Sequence, residues 1–182
     1  MNPRCQPFLV GHSLGGLIAV RYAEEASPDL PGIALSSPFL RLKMDVPVWK
    51  RAAASVLSMV APSVELPSDI PIELISHDPA VLKRTLKDPL SHRVGTPRWF
   101  TETLAAQKRA MELAGSIRTP LALLYAGDDR IADAGTSEKF FDRLTVDKVA
   151  HRYAGYYHEI FNEVGRDAVF ADLETWLVSR SR

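Results

Sequence analysis

Five residues near the start of the chain, Gly11-His12-Ser13-Leu14-Gly15, have the spacing G-x-S-x-G. They follow the apolar run Phe8-Leu9-Val10 and precede "LGGLIAVRYAEEA", whose apolar residues recur at helical spacing. A serine at a sharp strand-to-helix turn exposes its hydroxyl, and glycines two positions to either side avoid side-chain collisions within that turn. We therefore expect Ser13 to be a nucleophile and Gly11 and Gly15 to be the glycines that its turn requires.

A serine hydroxyl needs a base to take its proton, and the base needs a carboxylate that orients it. Where the nucleophile lies on a strand-to-helix elbow, the chain order is serine, acid, histidine. The run "YAGDDRIAD" supplies Asp128 and Asp129 at the end of a buried strand, and "GYYHEIFNE" supplies His158 after the last predicted strand. We favour Asp129, because Asp128 could instead cap a loop or be a solvated carboxylate. The sequence thus predicts a triad of Ser13, His158 and Asp129.

The other histidines fit the role of base less well. His12 adjoins the nucleophile but cannot easily turn back onto it, His77 and His92 lie in a proline-rich middle segment, and His151 lies in a predicted strand. We expect each of them to be structural or exposed. The run "HEIFN" is close to the zinc motif H-E-x-x-H, but Asn162 occupies the position of the second histidine. No metal site and no cofactor are therefore expected.

The elements that would position these residues alternate between strand and helix. "GIALSSP", "PLALLYAGDDR" and "KVAHRYAG" are strand candidates, and "RDAVFADLETWLVSR" is a terminal helix. Between about residues 40 and 116 the sequence has many prolines and amphipathic helical pieces, and we expect no strand there. This alternation predicts the α/β class with a parallel sheet flanked by helices.

Several motifs together resemble the α/β-hydrolase superfamily, in its monoacylglycerol lipase and lysophospholipase group of the serine aminopeptidase S33 type. They are "FLVGHSLGG", "LSSP", "DPLSH", "LLYAGDDRIAD", "YHEIFNE" and a terminal "WL", and they span nearly the whole chain. The resemblance implies that the nucleophile, the acid and the base are Ser13, Asp129 and His158. It also implies that Arg130 and Asp133 anchor the acid and that the backbone N–H of Leu14 is an oxyanion donor.

The resemblance also implies a domain organisation. Residues 1–40 and 116–182 would form part of the α/β-hydrolase core, and residues 41–115 would form a helical cap with an apolar tunnel for an acyl chain. Members of this group have a further N-terminal part, with the first strands and a second oxyanion donor, which this sequence lacks. We therefore expect a partial fold in which the elbow strand is an exposed edge able to pair with another chain. Loss of one oxyanion donor typically costs on the order of 10²–10³ in rate. Because the sheet that supports this donor would be missing too, we expect this chain alone to be poorly folded and at best weakly active.

The implied activity is hydrolysis of a carboxylic ester, most simply a monoacylglycerol or a lysophospholipid, through an acyl-enzyme. Two alternatives remain open. The same scaffold serves aminopeptidases, thioesterases and small-ester hydrolases, and the fold alone does not choose between them. A truncated, non-catalytic protein that acts by pairing with another protein would have the same sequence. Apolar residues between Val48 and Val60 favour a lipid monoester, although such residues would also pack the cap against the core.

Composition excludes several other classes. Lys plus Arg and Asp plus Glu both total 22, so no net field of the whole chain favours nucleic acid or an acidic membrane surface. A single cysteine, Cys5, excludes an intrachain disulfide and suits a reducing compartment. The longest apolar stretch, Ala52–Ala61, is far shorter than the roughly 20 residues that span a bilayer. We expect a cytoplasmic protein, with an upstream targeting segment left open, and two candidate interactions beyond the substrate: peripheral membrane contact through the cap, and self-association through the sheet edge.

Overall fold

The computed structural model describes residues 6–68 and 70–181 of the chain. Strands and helices alternate along much of it, and three single 3-10 turns lie between them at Ile72–Leu74, Ala114–Ser116 and Ile160–Asn162. In chain order the elements are β1 (Leu9–His12), α1 (Leu14–Ala26), β2 (Ile33–Ser36), α2 (Val48–Val60), β3 (Leu66–Pro67), α3 (Pro79–Lys87), β4 (Val94–Gly95), α4 (Pro97–Leu113), β5 (Leu121–Ala126), α5 (Ala134–Arg143), β6 (Lys148–Tyr153) and α6 (Arg166–Arg180).

The main sheet has the strand order β1-β2-β5-β6, and every pair of neighbours in it is parallel. The register aligns Gly11 with Leu35, Leu35 with Leu123, and Leu123 with Ala150. The predicted fold class, a parallel sheet flanked by helices, is confirmed. Because all four strands run the same way, the segments that follow β1, β5 and β6 emerge at one edge of the sheet, which is where ligand sites of open α/β sheets lie.

The core has two layers because β5 is buried on both faces. Leu123 and Tyr125 pack with α1, α4 and α5 on one face, whereas Ala122 and Leu124 pack on the opposite face with Trp176 of α6. This alternation follows from the two-residue period of a strand. All six residues of β5 are buried, which explains why its sequence reads as a continuous apolar run.

The segment between β2 and β5 is mostly helical. Asp78 caps α3 by accepting from the backbone N–H of Ala80 at 2.8 Å, and Thr96 caps α4 by accepting from that of Trp99 at 3.1 Å. The first residue of each helix is a proline, which suits a position where the backbone N–H has no partner within the helix. Helix α4 packs against α1 and so joins this segment to the core. That residues 41–115 form a cap over a substrate stays a prediction.

The expectation that residues 40–116 contain no strand is wrong. Strands β3 and β4 pair antiparallel, with Leu66 opposite Gly95 and Pro67 opposite Val94. Each strand is two residues long, so neither can show the alternation by which a half-buried strand is recognised in a sequence.

One edge of the main sheet is formed by β1, which within the described residues pairs with β2 alone. Val10 on this strand is 46% exposed, and Ile18 and Tyr22 of the adjoining helix α1 are also exposed. Self-association through this edge stays a prediction. Cys5 lies outside the described residues, and none of the helices described is long and apolar enough to cross a bilayer.

Candidate active site

Ser13 occupies a strained turn between β1 and α1. Its φ of 50° and ψ of −118° put it at positive φ, where a non-glycine residue typically costs about 1–3 kcal/mol. Backbone hydrogen bonds fix the turn: the N–H of Ser13 donates to the carbonyl of Ser36 at 2.9 Å, and its carbonyl accepts from the N–H of Phe39 at 2.9 Å. The end of β2 therefore holds the strained residue in place.

The need for glycine in this turn differs between positions. A Cβ atom on Gly11 would lie 2.6 Å from the carbonyl oxygen of Gly15, which is a backbone collision. A Cβ atom on Gly15 would meet nothing within 4 Å, whereas one on Gly16 would lie 2.8 Å from the Cβ of Pro38. The expected steric reason thus applies to Gly11 but not to Gly15, and Gly16 is a tightly packed glycine that the motif did not single out.

The structure brings the three residues of the predicted triad together. The Oγ of Ser13 lies 2.8 Å from Nε2 of His158, and Nδ1 of His158 lies 2.7 Å from Oδ2 of Asp129. His158 and Asp129 are buried. Because the ionised carboxylate can only accept, the ring carries its proton on Nδ1 when neutral. Nε2 is then free to accept a proton from Ser13.

Backbone groups hold the carboxylate of Asp129 in position. Its Oδ1 accepts from the N–H groups of Ile131 at 2.8 Å and Ala132 at 2.9 Å, which leaves Oδ2 to face His158. The neighbouring Asp128 is exposed. The choice between the two aspartates therefore follows from which side chain turns inward at the end of β5.

Arg130 and Asp133 make other contacts than the anchoring that the resemblance implies. The guanidinium of Arg130 lies over the ring of Tyr157, 5.0 Å from its centroid. Asp133 caps helix α5, where its carboxylate accepts from the hydroxyl of Thr136 at 3.0 Å, and Lys43 lies 3.4 Å away.

Leu14 is the first residue of helix α1. The first N–H groups of a helix have no carbonyl partner within it, and they lie at the positive end of its dipole. An oxygen that becomes negative beside Ser13 would meet this end of the helix. The role of the Leu14 N–H as an oxyanion donor stays a prediction.

Glu163 was not predicted to belong to the site. Its side chain is 1% exposed, and its carboxylate accepts from five donors: the hydroxyl of Ser76 at 3.0 Å, the backbone N–H of His77 at 2.9 Å and its Nδ1 at 2.6 Å, and the backbone N–H groups of Tyr157 and Val164 at 3.0 Å each. Burial alone would raise the pKa of Glu163, but these donors outweigh burial and lower it. The carboxylate joins the 41–115 segment to the loop that carries His158.

The remaining histidines have other partners. The ring of His77 is 3.7 Å from that of Tyr157 between centroids, His151 of β6 lies 3.3 Å from Asp172, and His92 is exposed. Within residues 6–68 and 70–181, no group of three or more His, Cys, Asp or Glu side chains is arranged to hold a metal ion.

Comparison with known proteins relates this chain to serine hydrolases by a family model and by individual relatives. A family model described as serine aminopeptidase, S33, matches residues 1–165. Phospholipase YtpA of Bacillus subtilis is 35% identical over 166 residues, which are 90% of this chain and 64% of that protein. Monoacylglycerol lipase of Mycolicibacterium smegmatis is 28% identical over 180 residues, which are 98% of this chain and 64% of that protein. The chain therefore spans less than two thirds of the length of these two relatives.

A solved structure agrees with the sequence comparisons. The crystal structure of monoacylglycerol lipase from Paleococcus ferrophilus matches with a TM-score of 0.91 at 34% identity, over 96% of this chain and 69% of that one. The parallel sheet with its strand-to-helix elbow is thus a partial α/β-hydrolase fold. Within that superfamily, the chain belongs to the serine aminopeptidase S33 family. The predicted resemblance to the monoacylglycerol lipase group is confirmed.

The glycine geometry leads to a test with a matched pair of variants. We expect Gly16→Ala to lower the free energy of unfolding by about 1–3 kcal/mol, because the new methyl group would overlap Pro38. Gly15→Ala lies one position earlier in the same helix, and its new methyl group would enter open space. We expect it to raise the free energy of unfolding by about 1 kcal/mol, because alanine favours the helix more than glycine does. Urea unfolding followed by circular dichroism measures both. Equal stabilities of the two variants would contradict the packing described for this turn.

The Glu163 contacts predict a pH-dependent loss of stability. We expect Glu163→Gln to lower the free energy of unfolding by about 3 kcal/mol at pH 7, because a neutral amide cannot accept from all five donors. The folded-state pKa of Glu163 is below the ordinary value of a glutamate, so its stabilisation is complete above that ordinary value and is lost as the pH falls through the folded-state pKa. The difference between wild type and variant should therefore shrink in acid.

The matched control for this experiment is Glu174→Gln on helix α6, where the side chain is exposed. It should change the free energy of unfolding by about 0.5 kcal/mol or less at every pH. Denaturant unfolding at several pH values between 3 and 7 gives both series. A Glu163→Gln deficit that stays constant down to pH 3 would show that the charge of Glu163 contributes nothing.

Proposed function

We propose that this chain carries the catalytic machinery of a serine ester hydrolase, with Ser13 as nucleophile, His158 as general base and Asp129 as the residue that orients it. The observation that carries the proposal is the hydrogen-bonded chain from Ser13 Oγ through His158 to Asp129, with distances of 2.8 and 2.7 Å. These lengths suit proton transfer from the hydroxyl to the ring. Membership in the S33 family supports the same reaction class.

The mechanism follows from the positions of the three side chains. Nε2 of His158 takes the hydroxyl proton as Ser13 Oγ attacks the ester carbonyl, and the resulting imidazolium faces the carboxylate of Asp129. The N–H of Leu14 would stabilise the negative oxygen of the tetrahedral intermediate. His158 then gives its proton to the leaving alcohol. Water, activated by the same ring, releases the acid from the acyl-enzyme.

A lipid monoester is the substrate class we favour. The relatives named above are a phospholipase and monoacylglycerol lipases, and the match to the Paleococcus monoacylglycerol lipase covers 96% of this chain. The family description names aminopeptidase chemistry as well. The same triad would serve either substrate, so the distinction has to come from turnover.

Variants of the triad test both the mechanism and the substrate class. We expect the chain to react with a fluorophosphonate probe. The probe reacts with an activated serine and stays bound to it, so labelled protein accumulates even when the turnover of a substrate is slow. Ser13→Ala should abolish labelling. Asp129→Asn should lower its rate about 10⁴-fold. Oδ1 is held by Ile131 and Ala132, so the new amide group would face Nδ1 of His158 and force its proton onto Nε2.

The matched control is Asp128→Asn, which alters the exposed neighbour and should label at the wild-type rate. The wild-type chain and Asp128→Asn should hydrolyse a long-chain monoacylglycerol faster than an aminoacyl anilide. Labelling that survives Ser13→Ala would refute the nucleophile. Faster hydrolysis of the anilide would contradict the proposed lipid ester and would favour a peptide-like substrate.

We further propose that helix α2 contacts an anionic bilayer surface. Its exposed apolar side chains fall within a sector of about 120° at 3.6 residues per turn, and the helix contains two basic residues and no acidic one. This combination is typical of helices that lie in the membrane interface. The exposed set, which includes Trp49 at 67% and Met59 at 75%, is Val48, Trp49, Val56, Met59 and Val60.

Vesicle sedimentation tests this contact. We expect the chain to bind vesicles containing phosphatidylglycerol more tightly than vesicles of phosphatidylcholine, because only the former attract the basic residues. Val56→Asp with Met59→Asp should lower binding at least ten-fold, since both charges would have to leave water. Val178→Asp on helix α6 is the control, because this valine is also exposed, at 55%. Equal losses from both helices would refute a specific role of α2.

A further inference from the structure

The residues that follow His158 in "HEIFN" form a network that the triad does not use. Nε2 of His12 lies 3.2 Å from Oε1 of Glu159, and Oε2 of Glu159 accepts from the side-chain amide of Asn162 at 2.9 Å. Nδ1 of His12 is 3.0 Å from the hydroxyl of Ser36. The network therefore runs from the histidine loop to the residue before the nucleophile and on to the end of β2.

The same residues also reach the segment between β2 and β5. The backbone N–H of Glu159 donates to the carbonyl of Ile75 at 2.8 Å, and the guanidinium of Arg84 on helix α3 donates to Oδ1 of Asn162 at 3.4 Å. Glu159 is thus connected to four parts of the protein: its own loop, the elbow, β2 and the 41–115 segment.

Glu159 carries its charge close to the triad. Burial alone would raise its pKa, but the contacts with His12 and Asn162 and the proximity of His158 outweigh burial and lower the pKa to about 2. The rings of His12 and His158 are 5.0 Å apart between centroids. A carboxylate that stays ionised at neutral pH therefore lies beside both imidazole rings, one of which must become positive during the proposed reaction.

We propose that Glu159 and His12 form a clasp, a carboxylate–histidine pair that positions His158 against Ser13 and stabilises the imidazolium of His158 during acyl transfer. The clasp rests on the proposed function, because it acts through the base of that reaction. Glu159 and His12 are positioning residues, since neither touches the reacting oxygen. The titratable and charged groups around the pair are His158, Asp129 and, through Asn162, Arg84.

The test follows the rate of fluorophosphonate labelling of the full 182-residue chain between pH 5 and pH 9. Glu159→Gln keeps the shape of the side chain and removes its charge. We expect the plateau rate to fall about five-fold, because the imidazolium loses a nearby opposite charge. The acid limb of the profile should move about half a unit to lower pH, because the variant lacks a negative charge beside the ring. The position of the limb is read from relative rates and does not depend on how much protein is folded.

Two further variants complete the design. If the two residues act as a pair, His12→Asn combined with Glu159→Gln should label no more slowly than the slower single variant. The matched control is Asp172→Asn, which removes the carboxylate on α6 that lies 3.3 Å from His151 of β6. It should keep the wild-type rate and profile. An unchanged Glu159→Gln rate, a loss that leaves the acid limb in place, or additive losses in the double variant would each overturn the proposal.

Failure of the proposed function would be recognised separately. A wild-type chain that is folded but takes no label would refute the activated serine, and the clasp would then be decided by NMR of the histidine ring protons. Glu159→Gln should shift the ring signals of His12 and His158 and leave that of His151 in place. Unchanged signals from His12 and His158 would refute the clasp.

Discussion

The hydrogen bond between Ser13 and His158 is the interaction on which the site depends, and its partners lie 145 positions apart in the sequence. A hydrogen bond weakens when its donor and acceptor move apart by a few tenths of an ångström. Both ends therefore have to be fixed by other contacts. The parallel sheet provides the first constraint, since β1 and β6 present their following segments at the same edge. The core beneath keeps that spacing, with β5 buried on both faces between them.

The two ends of this hydrogen bond are fixed in different ways. Ser13 is held by backbone bonds to Ser36 and Phe39, which keep a strained turn in one conformation. His158 lies in a loop that two carboxylates hold. Asp129 binds the ring of His158, and Glu163 accepts from the backbone N–H of the preceding residue, Tyr157. Because Glu163 also binds the 41–115 segment, that segment and the histidine loop should move together. A displacement of the segment would thereby reach the loop of His158 through Glu163.

The three side chains that meet at the candidate site could be predicted, because the proposed chemistry requires particular residue types where strands end. Ser13, Asp129 and His158 each follow a strand, and the order of serine, acid and histidine selects them. The parts that could not be predicted depend on contacts distant in sequence. Gly16 is tightly packed because Pro38 crosses it, whereas the motif pointed to Gly15. The buried position of Glu163 cannot be read from a sequence in which it follows an asparagine and precedes a valine.

The position of β1 makes the contacts of the elbow with β2 more important than the motif suggests. Within the described residues this strand has a neighbour on one side alone, so the strained conformation of Ser13 depends on β2 and on α1. Three contacts converge at the end of β2: the Ser13 N–H on the carbonyl of Ser36, the Phe39 N–H on the carbonyl of Ser13, and His12 on the hydroxyl of Ser36. The first two fix the backbone of Ser13. The third connects the same strand end, through His12 and Glu159, to the loop that carries His158. Ser13 and the loop of His158 are therefore both connected to the end of β2, and a shift of that strand end would reach both.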